Sequence, residues 1–188
     1  MKKYYYILSL LIITQYLSSC KSDDDVNPDA AGYFMFDGNK YDLSNGFTYN
    51  MDKNNTVGTD GYRIDIRLNS SGFKIEEENG KLKGLSGNGH GISFYIYSAS
   101  PDQILSQVYN FNDGSRNIGD YEYSAFAVNA DTDASTNTIF KCTQGSITVN
   151  REGSQYDLTF SGEYYHEDYG SYFVTGSFKG ELKMYYDL

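Results

Sequence analysis

Apolar and polar residues alternate with period two through most of this chain, and turn residues recur after roughly every ten positions, the rhythm of short antiparallel strands. Tyr62, Ile64, Ile66 and Leu68 alternate with Arg63, Asp65 and Arg67, which predicts a strand with one face in a core and one in water. Asp37-Gly38-Asn39-Lys40 predicts a turn between strands at Tyr33–Phe36 and Tyr41–Leu43, and Asn79-Gly80 a tight hairpin turn. Gly91–Ala99 is nearly continuous in apolar and aromatic residues and reads as a central strand. Ser100-Pro101-Asp102-Gln103 has the capping residues of a helix start, with room for a turn or two before the strand at Gln107. Further strands are predicted at Gln107–Phe111, Asp120–Asn129 and Asn137–Cys142. At the C-terminal end, Ile147 and Val149 answer Tyr156, Leu158 and Phe160 across a turn at Glu152-Gly153-Ser154. Two more strands follow, hinged near Lys179-Gly180.

No long helical period interrupts this pattern. The expected fold is all-β: one antiparallel β-sandwich of about ten strands, jelly-roll-like, with a calycin-like β-barrel as the alternative, since both give the same strand rhythm. The segment running to the C-terminus from Gly145 resembles the terminal hairpins of uncharacterised Bacteroidota lipoproteins, with their G-x-I-T-V, Y-x-L-x-F and V-x-G-x-F-x-G-x-L motifs. That resemblance implies an all-β fold and no activity.

The N-terminal residues follow another logic. Lys2 and Lys3 precede an apolar run from Tyr4 to Leu17, too short to span a bilayer and laid out as a secretory signal. Leu17-Ser18-Ser19-Cys20 resembles the bacterial lipobox, which implies that Cys20 is acylated and becomes the first residue of the mature chain. Lys21, Ser22, Asp23, Asp24 and Asp25 resemble the acidic export signal of Bacteroidota surface lipoproteins. Together they imply an outer-membrane protein held by its lipid anchor and facing the cell exterior. The chain then divides into a signal peptide (1–19), an acylated flexible stalk (20–31) and an all-β domain (32–188). Several acyl chains hold such a protein firmly, because each buried methylene contributes about 0.8 kcal/mol.

Composition narrows the function. The formal net charge of −10 becomes more acidic once Lys2 and Lys3 leave with the signal, which argues against nucleic-acid partners. With Cys20 acylated, Cys142 has no partner in the chain and is expected in the core. Tyrosine supplies 20 of 188 residues, beside 11 phenylalanines and no tryptophan. Tyrosine suits strands, and its flat amphipathic ring suits glycan or protein recognition.

Three segments carry candidate chemistry. Gly87–Gly91, with His90, opens a strand rather than a helix, so it reads as a flexible loop and not as a phosphate cradle. Asn129, Asp131, Asp133, Ser135 and Asn137 place oxygen atoms at alternate positions, as a calcium loop does. An EF-hand is excluded by Thr136 and Cys142, which stand where glycine and glutamate are required. The expectation there is a polar inter-strand loop with no metal. Gly162–Gly170 is the most loaded: Tyr164, Tyr165, His166, Asp168 and Tyr169 are the candidate ligand-binding residues. Glu163, Glu167 and Asp168 lie too close in sequence to flank a glycosidic bond as hydrolysis requires. Neither a nucleophile elbow (Asn88 breaks the motif at Ser86) nor a zinc spacing occurs. The expected function is a non-catalytic surface lipoprotein without cofactors, binding a glycan. The alternatives are a carrier of a small hydrophobic ligand and a structural or interaction subunit of an envelope complex.

Overall fold

The structure is a computed structural model, and it describes residues 30–50 and 61–186. Cys20 and the residues Lys21, Ser22, Asp23, Asp24 and Asp25 lie outside the described residues. Within them the chain is all-β, with twelve strands and no helix: β1 (Gly32–Phe36), β2 (Asn39–Leu43), β3 (Asn45–Asn50), β4 (Tyr62–Asn69), β5 (Phe73–Glu78), β6 (Lys81–Ser98), β7 (Gln107–Phe111), β8 (Asp120–Asp131), β9 (Phe140–Glu152), β10 (Gln155–His166), β11 (Gly170–Glu181) and β12 (Lys183–Tyr186). They form one curled sheet in the order β12-β3-β4-β6-β8-β7-β9-β10-β11-β1-β2, with β5 attached to the first half of β6. Pairing is antiparallel except between β3 and β12 and between β7 and β8, so the sheet is mixed.

Bends let the sheet curl over on itself. Ser44 alone separates β2 from β3, and its N–H bonds to the Asn69 carbonyl at 2.8 Å, so one bent strand serves β1 first and β4 next. Leu182 alone separates β11, which pairs with β1 and β10, from β12, which pairs with β3. This break falls beyond the hinge expected at Lys179-Gly180, because Lys179 and Gly180 stay in register with Asp157 and Tyr156.

Non-adjacent strands then meet across the interior. Phe94 of β6 lies 5.2 Å from Phe160 of β10, and Phe34 of β1 lies 5.5 Å from Phe126 of β8. Period-two burial supplies this core: Ile64, Ile66 and Leu68, Ile147 and Val149, and Tyr156, Leu158 and Phe160 are all buried. Cys142 joins it, with burial pushing the thiol pKa up.

The Asp37-Gly38 and Asn79-Gly80 turns have positive φ at both residues (50° and 73°, 55° and 77°), the two-residue geometry that matches strand twist. Two expectations fail. Gly87–Gly91 is not a loop but part of β6, paired with β5 on one side and β8 on the other. His90 within it packs against Tyr41 at 5.2 Å and donates from Nε2 to the Asp42 carbonyl at 2.8 Å. Residues 100–103 form no helix. Ser98 Oγ donates to the Gln103 carbonyl at 2.8 Å and Asn50 Nδ2 donates to the Pro101 carbonyl, which draws the segment into a connector and buries Ile104.

Candidate functional site

Three connections lie at the same end of the sheet: the β1–β2 turn, the loop 132–139 between β8 and β9, and the turn Glu167–Tyr169 between β10 and β11. Between them opens a groove of about 490 Å³. Its floor is aromatic. Phe140 stacks on Phe126 at 4.8 Å and 5°, Phe36 lies 4.9 Å from Phe140, and Tyr172 lies 4.8 Å from Phe36. Tyr169, 57% exposed, stands at the mouth, 5.9 Å from Phe140 and 5.0 Å from His166. The rim is polar and includes Asp37, Asn129 and Asn137.

A β-bulge aims Asn129. The register passes from Gly91↔Ala127 to Gly89↔Ala130, so β8 holds one more residue than β6 over this step. Asn129 takes that place at φ 53° and lines the groove, while Ala130 returns to the outer wall. Asparagine is among the few residues that tolerate this backbone.

The oxygen-rich loop satisfies itself. The Asp131 N–H donates to Asn137 Oδ1 at 2.9 Å, Asn137 Nδ2 donates to the Asp131 carbonyl at 3.0 Å, and the Asp133 N–H donates to Asp131 Oδ1 at 2.9 Å. Thr132 ties the loop to Gly87, its N–H donating to the Gly87 carbonyl at 3.0 Å. Among the described residues no group of three or more His, Cys, Asp or Glu side chains is placed to hold a metal ion.

The five candidate ligand-binding residues part company. Tyr164 is a core residue, not a surface one: it is 1% exposed and its hydroxyl bonds Ser124 Oγ at 2.7 Å. Strand alternation sends its neighbour Tyr165 to the outer wall, 47% exposed, away from the groove. His166 is half-buried against Phe140 at 5.3 Å, and its Nδ1 accepts the Asp168 N–H at 3.1 Å. Asp168 is at the turn, its carboxylate 3.9 Å from Nδ1 and its side chain 76% exposed. Only Tyr169 lines the groove. Phe36, Asp37, Phe140 and Tyr172 were not among the candidates, because contacts across a curled sheet leave no trace in local spacing. Asn129 and Asn137 were singled out as part of a polar inter-strand segment, and both line the groove.

Chemically, the groove offers ring faces below and amide, hydroxyl and carboxylate groups above. Asp37 is the one carboxylate among its lining residues. Comparison with family models, with curated proteins and with solved structures gave no match for this chain.

Proposed function

We propose that this chain is a non-catalytic surface lipoprotein, anchored through Cys20, that binds a glycan in the rim groove. The observation that carries the reading is the pairing of an aromatic floor (Phe140, Tyr172 and the exposed Tyr169) with a polar rim. A sugar ring has the same division: an apolar C–H face and a hydroxyl edge. Stacking holds the face, and a few well-placed hydrogen bonds hold the edge. Binding is favoured over hydrolysis because Asp37 stands alone as a lining carboxylate, whereas glycosidic cleavage uses two. The carrier reading draws less support, since rings meet across the interior where a lumen would lie.

A glycan array on residues 26–188 tests the reading. Tyr169→Ala should weaken the positive glycan by about tenfold, the worth of one stacking contact, and melt near wild type. An array with no positive, or a positive that Tyr169→Ala leaves unchanged, rejects the groove as a glycan site.

A further inference from the structure

Charge is placed unevenly around the rim groove. The three connections that frame it carry Asp37, Asp133, Glu167 and Asp168, and no lysine or arginine. No lysine or arginine lines the groove itself. The two cations nearest to it in sequence are turned away. Lys40 lies on the outward face of β2, its Nζ 3.5 Å from Asp42 Oδ1 and 5.2 Å from the centre of the Tyr33 ring. Lys141 follows Phe140 of the floor, so strand alternation sends it to the outer wall, opposite Tyr165. The ion pairs that lysine and arginine form among the described residues leave all four of these acids out. The acids are not gathered into a group that could hold a metal ion, so they act through their summed field, in a chain of net charge −10.

Asp37 is the acid that reaches the lining, and it directly follows Phe36 of the floor. Its carboxylate takes part in no ion pair or hydrogen bond among the described residues. Tyr169, 57% exposed, and Tyr172 line the same space. A ring face is the negative side of the aromatic quadrupole and attracts a cation placed over it. Ring faces beside a free carboxylate therefore fit an organic ammonium ion. A uronate or sulfate would meet Asp37 and the three surrounding acids with like charge.

We propose that the groove selects a glycan with free amines, an ammonium group held by Asp37 and an aromatic ring face, and that it rejects acidic glycans. The proposal rests on the glycan reading and adds the charge of the sugar to it.

The test uses residues 20–188 carrying Cys20→Ser, which retains every described residue. Tetramers of glucosamine, N-acetylglucosamine and galacturonic acid are titrated by calorimetry in neutral buffer, where a free amine is largely protonated. The first two differ only in the acetyl groups, which remove the charge. The glucosamine tetramer should bind at least about tenfold more tightly than its acetylated counterpart and lose that advantage in high salt. The uronate tetramer should not bind. Asp37→Asn keeps the fold, since asparagine tolerates the positive φ of 50° and the Asn79-Gly80 turn already uses it in that place. This variant should bind the glucosamine tetramer about tenfold more weakly and the acetylated one unchanged. Two outcomes overturn the proposal while the glycan reading stands. One is an acetylated or uronate tetramer that binds as tightly as the amine, and the other is wild-type affinity for the amine in Asp37→Asn. If none of the three tetramers binds, the proposal falls as well, and the glycan array decides the reading beneath it.

Discussion

Asp65 shows how far a single residue can depart from its pattern. Alternation places it on the outward face of β4, yet it is 1% exposed. Burial pushes its carboxyl from an ordinary 3.8 up to about 6, although Arg67 and Arg63 pull the other way. Burial also works against the charge on Arg67, but Asp65 and Tyr95 outweigh it and raise that pKa. Because the folded carboxyl holds its proton more tightly than the unfolded one, this group favours the fold fully below pH 3.8. That contribution fades as the pH rises to about 6, by about 3 kcal/mol at most. Asp65→Asn should therefore gain stability relative to wild type between pH 4 and pH 6 in denaturant titrations. Parallel profiles would show that the carboxylate is hydrated after all. Tyr164 makes the same point from the inside. Tyr164→Phe leaves Ser124 without its 2.7 Å partner and should cost about 1–3 kcal/mol, whereas Tyr169→Ala should cost under about 1 kcal/mol. Equal losses in thermal melts would contradict their opposite burial. Neither residue's environment is visible in its neighbours along the chain, because it is made by strands distant in sequence.

At the scale of elements, strands with clean alternation and turns with Asp-Gly or Asn-Gly could be read directly, since period two and positive φ are local properties. β3 could not: Asn45-Gly46-Phe47-Thr48-Tyr49-Asn50 reads as polar, and Thr48 and Asn50 are buried only because the strand lies between β4 and β12. The glycines of β6 misled for a related reason. Gly87 and Gly91 mark close backbone approach within paired strands rather than freedom. A side chain at Gly87, φ 101°, would meet the Gly72 carbonyl at 2.4 Å, whereas one at Gly80, φ 77°, would meet nothing within 4 Å. Both alanine variants carry backbone strain of about 1–2 kcal/mol, and only Gly87→Ala adds a collision with main chain. Gly87→Ala should therefore lower the melting temperature well beyond Gly80→Ala. The reverse order would mean that the β5–β6 pairing yields at Gly87 without penalty.

For the whole molecule, the curl of the sheet explains why the candidate groove was half visible. The loop 132–139 and the turn carrying Tyr169 could each be singled out by composition, but only a sheet that curls brings them beside Phe36 and Asp37. The same geometry puts the groove at the far end of β1 from Gly32. The chain enters at Gly32, where β1 pairs with Phe178 and Leu43, and five residues later reaches the Asp37-Gly38 turn at the groove. A tether through Cys20 would thus join the end away from the groove and leave the groove facing outward. Asp168 lies at the groove end, 76% exposed, and Cys142 is buried, so Asp168→Cys adds an accessible thiol beside an inert one. On intact cells a membrane-impermeant maleimide should label this variant. Replacing Asp23, Asp24 and Asp25 with alanine in the same chain should preserve lipidation but confine labelling to lysed cells. Labelling of intact cells that survives the triple replacement would reduce the three acids to a solvated linker. Labelling that needs lysis even with the acids present would place the groove on the inner side of the membrane, where it could not meet a glycan outside the cell.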